Sequence, residues 1–287
     1  MKMFVRFSAF VSAALLGVGC HTAEFNLDSN IGMCGDVDNS AFMKECGLNY
    51  VETSVSGFLI PESSEEEFAA NRAIAQASVL PVYSANGFFP GDLKLVGPEA
   101  DLERAVKYSE TAIRRASELG IKYLVLGSGR SREVPEGFDK KVASQQFLEL
   151  LKRIAPFAEK YDIPIVIEPL RTQETNLINT VCEGAEIARQ AGSDHICVLA
   201  DFYHMLQNGE QPESLVSCKD KLRHCHIAEK EKRTPPGVKG DDFTPFFKVL
   251  KEIGYQGGLS IECVWKNQEE QLPKAVNALR NQIEAVK

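Results

Sequence analysis

Short apolar runs alternate with longer segments of helical spacing along most of the chain. Eight runs read as strands, at residues 30–34, 50–55, 81–85, 123–127, 164–169, 196–201, 222–227 and 258–264; each is short, apolar and often β-branched. Helical patterns fall at 40–47, 64–78, 101–119, 140–160, 180–191, 212–219, 244–253 and 272–286. Several end in a glycine stop, as at Leu119-Gly120, Ala191-Gly192 and Ile253-Gly254. Continuously apolar strands that alternate with helices belong to a parallel sheet covered on both faces. Eight such units in 287 residues predict an α/β fold, a closed (β/α)₈ TIM barrel forming one domain over residues 26–287, in preference to an open doubly wound sheet. No G-x-G-x-x-G opens a helix and no G-x-x-x-x-G-K-[ST] occurs, so nothing points to a nucleotide cofactor.

The first twenty residues break this pattern. Lys2 and Arg6 precede an apolar stretch from Phe7 to Val18, followed by Gly19-Cys20. The order is that of a secretory signal, and the stretch is too short for a comfortable membrane span. Gly17-Val18-Gly19-Cys20 resembles a bacterial lipobox, with Leu16 one place earlier than the usual Leu. The expectation is a lipoprotein signal peptide over residues 1–19, cleaved before Cys20, with a lipid on Cys20 as the only membrane attachment of an exported, periplasmic protein. Plain secretion and an uncleaved N-terminus are the alternatives. Lipidation would leave seven of the eight Cys, an odd number, and no C-x-x-C occurs, so neither a disulfide framework nor a thiolate zinc site is expected. Cys34, Cys197, Cys225 and Cys263 lie in apolar runs and read as small buried hydrophobes.

With 44% apolar and 25% charged residues the composition is that of an ordinary globular protein. The net charge of −8, with no basic run beyond the mixed KEKR at 230–233, argues against a nucleic-acid partner.

Chemistry concentrates in the second half. Glu168, Asp201, His226 and Glu262 lie at or near the C-terminal ends of four consecutive strand candidates, 25 to 36 residues apart. Those ends converge on one mouth in a (β/α)₈ barrel. Three carboxylates and one imidazole form an oxygen-rich set suited to one divalent ion such as Mn²⁺, Mg²⁺, Co²⁺ or Zn²⁺. Each residue also has a plainer reading. Glu168 could pair with Arg171, Asp201 could cap a helix, and Glu262 could sit in a buried salt bridge. His224 and His226 flank Cys225 and are expected on opposite faces of their strand, His226 as ligand and His224 as a structural residue. The segment 233–242 reads as a mouth loop.

These residues resemble the xylose-isomerase-like barrel superfamily of sugar isomerases and epimerases. The pattern is that of the D-tagatose or D-allulose 3-epimerases and of hydroxypyruvate isomerase. The resemblance spans about residues 28–287 and is specific over 164–264. It implies that Glu168, Asp201, His226 and Glu262 hold the metal and that Glu168 and Glu262 also serve as the acid–base pair. The family's Glu-Pro-Leu appears as Glu168-Pro169-Leu170, its Asp-x-x-His as Asp201-Phe202-Tyr203-His204. By the same resemblance Glu174, His204 and Arg233 would contact substrate, with Lys232 competing for the last role, and homo-oligomers are common among relatives.

The implied reaction removes a proton beside a carbonyl of a small sugar through a metal-stabilised cis-enediolate. A lyase or dehydratase acting on a keto-polyol or a 3-keto-glycoside, and a non-catalytic exported sugar-binding barrel, are the competing readings. An endonuclease-IV-like enzyme shares the fold, but the chain is acidic and has five His. The loop 127–139, with Arg130, Arg132 and Glu133, does not map onto the epimerase pattern; it reads either as a contact for a larger or anionic sugar or as a solvated charged loop.

Overall fold

The computed structural model describes residues 25–287. The predicted signal segment and Cys20 lie outside the described residues. Eight parallel strands close into one barrel: β1 Ile31–Cys34, β2 Tyr50–Ser54, β3 Val82–Asn86, β4 Tyr123–Leu126, β5 Ile165–Ile167, β6 Ile196–Asp201, β7 Leu222–Ile227 and β8 Gly258–Ile261. Each pairs with the next, and β8 returns to β1 with Leu259 opposite Ile31. The helices are α1 Ser40–Glu45, α2 Glu65–Ala77, α3 Leu102–Glu118, α4 Lys140–Tyr161, α5 Val181–Gln190, α6 Phe202–Asn208, α7 Thr244–Glu252 and α8 Gln268–Glu284.

Local chemistry fixes several of these boundaries. Ser64 with Glu67 and Thr180 with Glu183 form capping boxes at the starts of α2 and α5. Such a cap stabilises a helix by about 1 kcal/mol. α8 starts at Gln268, four residues before the expected start, capped by the Asn267 side chain, which accepts the Glu270 N–H. The segment expected as a helix at 212–219 is instead a 3₁₀ helix at Pro212–Cys218. A seven-residue helix, α6, follows β6 with no intervening loop, where the sequence shows no separate helical period.

Strand parity sorts the side chains. Successive strand residues point to opposite faces, so positions two apart share one. Outward residues such as Leu124, Leu126, Ile165, Ile167, Ile196 and Val198 join the helices in one large core. Val125, Val166, Cys197 and Leu199 form a separate cluster inside the barrel. The inward face also carries Tyr50, whose hydroxyl lies 3.0 Å from Ser260 Oγ on the opposite side of the closure. A Cβ at Gly32 would collide with the Tyr50 ring, so that glycine makes room for a large side chain in the barrel's lower layer.

The seven described cysteines are free thiols. Two of them touch: Cys182 Sγ in the first turn of α5 lies 3.2 Å from Cys218 Sγ at the end of the 3₁₀ helix. A disulfide oxidant such as oxidised glutathione is expected to join this pair, removing two thiols from a thiol titration. Closing a loop of that length should raise Tm by several degrees. Unchanged thiol number after oxidation, or the same loss in Cys182→Ser, would contradict this.

Candidate metal centre

Continuing the inward parity by one step reaches the barrel mouth. Glu168 is two residues after Val166, Asp201 two after Leu199, His226 two after His224 and Glu262 two after Ser260. One ligand atom from each of these four residues lies within 4.8 Å of the other three. The four candidates chosen from the sequence are thus brought together. Glu168 and Glu262 stand immediately after β5 and β8 rather than within them.

His226 is fully buried, with Nδ1 3.2 Å from Glu168 Oε1 and 2.9 Å from Glu262 Oε2. Its Nε2 lies 2.8 Å from Glu52 Oε1. Asp201 divides its two oxygens. Oδ1 accepts the Tyr203 N–H at 2.8 Å, capping α6, while Oδ2 accepts from Arg233 at 3.2 Å. The helix-cap reading of Asp201 holds, and the same side chain lies within the quartet. Glu262 Oε2 accepts from Arg233 at 2.6 Å, and Asn86 Nδ2 approaches Oε1 at 3.3 Å. Glu168 does not pair with Arg171, which binds Glu174 at 2.6 Å instead. Gly127 occupies the inward position next to Glu168, and a Cβ there would strike the Glu168 carboxylate. That glycine keeps open the space the carboxylate occupies.

The electrostatics fit a cation at this point. Burial raises Glu168 above the usual carboxylate range, and the neighbouring Glu262 raises it further. Burial likewise lifts Asp201 to about 6 against the pull of Arg233. At Glu262 burial is outweighed by Arg233 and His226, which hold it at about 2. Burial opposes charge on His226, yet Glu52 and Glu262 push its pKa well above normal. Three clustered carboxylates with one imidazole are a hard, oxygen-rich donor set, and binding a divalent ion there would relieve their mutual repulsion.

One histidine reading changes. His224 and His226 do not face opposite ways; residues two apart share a strand face, and both rings reach Glu52, His224 Nε2 at 2.7 Å from Oε2. His204 is buried, and its Nδ1 accepts the Arg171 N–H at 3.2 Å. Burial lowers its pKa, so the neutral ring carries its proton on Nε2. That nitrogen has no hydrogen-bond partner; Asp201 Oδ2 is 3.4 Å away at an angle that makes none. A buried donor without an acceptor beside the quartet is a natural contact for a ligand oxygen. Arg233 lies over the Tyr203 ring as well as on Asp201 and Glu262. Glu174 is half-buried and sits near enough to Arg233 and His204 to shift both.

The expected mouth loop is tightly tied. Glu229, fully buried, accepts the N–H groups of Gly237, Lys239 and Gly240 and the Thr234 hydroxyl, which fixes the segment carrying Arg233. In the 127–139 loop the sugar-contact reading fails for Arg132. It is fully buried and donates to the carbonyls of Leu126, Glu168 and Leu177 at 3.1, 2.7 and 3.1 Å. Arg130 and Glu133 are exposed.

Beside the quartet a polar cavity of about 440 Å³ opens toward β1–β3. Glu52 and Asn86 form its border with the candidate centre, and Asp36, Asn39, Ser54 and Asn71 line the remainder. The sequence singled out none of this region. Glu52 had a visible signal, a lone carboxylate within the apolar run YVETSV on the inward parity.

The family described as xylose isomerase-like TIM barrel matches residues 40–282. An L-ribulose 3-epimerase from Methylomonas sp. is 30% identical over 168 residues, 53% of this chain and 56% of that protein. A D-psicose 3-epimerase from Enterocloster bolteae is 25% identical over 58% of this chain and 55% of its own length. The chain thus aligns with little more than half the length of these two relatives. A 3-dehydro-D-guloside 4-epimerase from Escherichia coli is 28% identical over 75% of this chain and 82% of that protein. Among solved structures, a D-psicose 3-epimerase from Clostridium cellulolyticum superposes with TM-score 0.76 at 19% identity, covering 90% of this chain and 99% of the other, which speaks for the fold.

Proposed function

We propose, for a chain that belongs to the xylose isomerase-like TIM barrel family, that it is a divalent-metal-dependent sugar isomerase or epimerase. The convergence of Glu168, Asp201, His226 and Glu262 within 4.8 Å carries the reading. A divalent ion held there, with Mn²⁺ the first choice, would supply Lewis-acid polarisation of a carbonyl and its neighbouring hydroxyl. The rest falls to the chain. Glu168 and Glu262 approach the centre from β5 and β8, which lie three strands apart around the mouth. One removes the proton beside the carbonyl and the other returns it from the opposite face, inverting the carbon. His204 Nε2–H donates to a substrate oxygen, and Arg233, anchored on Glu262, orients the substrate from the mouth loop with Glu174 beside it.

Deuterium exchange in D₂O with added Mn²⁺ tests this, using free ketoses and 3-keto-glycosides. Deuterium beside the carbonyl with no other change of mass is the expected result; no exchange in any sugar would sink the isomerase reading. Loss of water or of an aglycone would move the enzyme to the lyase class. A glycoside substrate has support of its own in the polar 440 Å³ cavity bordering the quartet, which is large enough for a second ring. His204→Phe is expected to raise KM about tenfold or more by removing one buried donor, with Mn²⁺ affinity unchanged. An unaltered KM would remove His204 from the substrate site. Export with a lipid on Cys20 belongs to the same proposal and rests on the basic, apolar, Gly-Cys order of residues 1–20. Palmitate labelling of the full chain in a bacterial host, abolished by Cys20→Ser, is the expected result.

A further inference from the structure

We propose that Glu52 is the positioning residue of the metal centre: it holds His226 by Nε2–H so that the Nδ1 lone pair is directed at Glu168, Asp201 and Glu262. The inference rests on the metal-dependent reading above and assigns a role to a residue outside the quartet. Glu52 lies on β2, across the barrel from the strands that carry the four ligand candidates. Its side chain is fully buried and, among the described residues, forms no salt bridge with a Lys or Arg. Both oxygens are engaged. Oε1 faces His226 Nε2 at 2.8 Å, and Oε2 is met by His224 Nε2 at 2.7 Å, Ser84 Oγ at 2.7 Å and Ser260 Oγ at 2.6 Å. Donors from β3, β7 and β8 thereby pin a carboxylate that projects from β2.

A carboxylate accepts and does not donate, so with no ion both ring nitrogens of His226 offer hydrogen to carboxylates; an ion bound at Nδ1 would displace the hydrogen there, while Glu52 keeps the one on Nε2. The other nitrogen of His226, Nδ1, is the atom within 3.2 Å of Glu168 and 2.9 Å of Glu262. The hydrogen bond made by one nitrogen decides which nitrogen can ligate, and a carboxylate partner also makes the ligating nitrogen more basic. Ring orientation is set by the same contact, because His226 sits inside the barrel where Glu52, His224 and the quartet surround it. Ser84 and Ser260 act one step further out: by saturating Oε2 they leave Oε1 as the oxygen available to His226. His224 completes the arrangement, which accounts for a second histidine on the same strand face.

The test uses the full mature chain and Glu52→Gln, which keeps the side chain's size and removes its charge. Mn²⁺ affinity, measured by titration against a metal-sensitive fluorophore, is expected to fall 10- to 100-fold. In the Zn²⁺-loaded protein the downfield His226 ring N–H proton should move upfield, a signal that loss of packing alone would not shift selectively. Ser84→Ala deletes a neighbouring hydrogen bond and spares the Glu52–His226 contact, so it should change Mn²⁺ affinity less than threefold. Should Glu52→Gln fail to fold, Glu52→Asp, which keeps the charge and withdraws it by one methylene, is read in the same way. Affinity within threefold of wild type in a folded Glu52 variant, or an equal loss in Ser84→Ala, would overturn the assignment. If wild type itself bound neither Mn²⁺ nor Zn²⁺, the metal-dependent reading would fail, and this inference with it; a wild type that binds and a variant that binds equally would overturn the role of Glu52 alone.

Discussion

Glu262→Gln is expected to reduce turnover by about a thousandfold or more, on the order of 4 kcal/mol in the barrier. The substitution preserves the shape of a side chain that meets Arg233 at 2.6 Å and Asn86 at 3.3 Å. What it removes is a negative charge that Arg233 and His226 keep ionised down to about pH 2. The loss therefore falls on proton transfer, on the pairing of Arg233 and on the hold of the quartet on its ion. Arg233 also binds Asp201 and the Glu262 backbone carbonyl, so it should stay in place. Far-UV circular dichroism should be unchanged, and deuterium exchange into substrate should fall with turnover. A Gln variant retaining more than a tenth of wild-type turnover would exclude Glu262 as an acid–base group. Full exchange without epimerisation would place Glu262 only on the return step.

Arg132→Met is expected to destabilise the fold by about 2 kcal/mol or more, because it strands two buried carbonyls, Glu168 and Leu177, and takes from Leu126 one of its two donors. Two effects compete. Burial of the guanidinium is itself unfavourable and lowers its pKa to about 10, so deleting the charge recovers some desolvation. Against that, the carbonyls of Leu126, Glu168 and Leu177 lose donors at 3.1, 2.7 and 3.1 Å, and Met offers none in return. An unmet buried acceptor costs about 1–3 kcal/mol, and Leu126 keeps the Glu168 N–H, so the two left unmet outweigh the recovery. Urea unfolding should show a lower midpoint at an unchanged m-value. A stability change below about 1 kcal/mol would mean that water reaches these carbonyls. Because Arg132 holds the backbone of Glu168, the variant should also bind Mn²⁺ more weakly than wild type.

The barrel was legible because its signal is repeated eight times, and apolar strands with glycine stops leave few other ways to cover a sheet. The quartet was legible for a related reason: a carboxylate or imidazole at the end of an apolar run stands out in one dimension. Long-range partnerships were not. Nothing near Glu52 in sequence marks it as the neighbour of His226, 174 positions away. Arg132 looked like a loop charge because the carbonyls that surround it belong to two other segments. α6 escaped because Asp201 ends a strand and caps a helix at once, leaving no gap to read. The facing of His224 was misjudged although strand parity alone places it with His226.

All four donors of the candidate centre come from β5–β8, whereas the cavity beside it is lined from β1–β3. Heredity can act on the two halves separately. Substitutions at Asp36, Asn39 or Asn71 reshape the cavity beside the quartet without displacing a donor atom. The join between the halves is less free, since Glu52 and Ser84 in the first half clasp histidines of the second, and recombination across it would have to inherit both sides together.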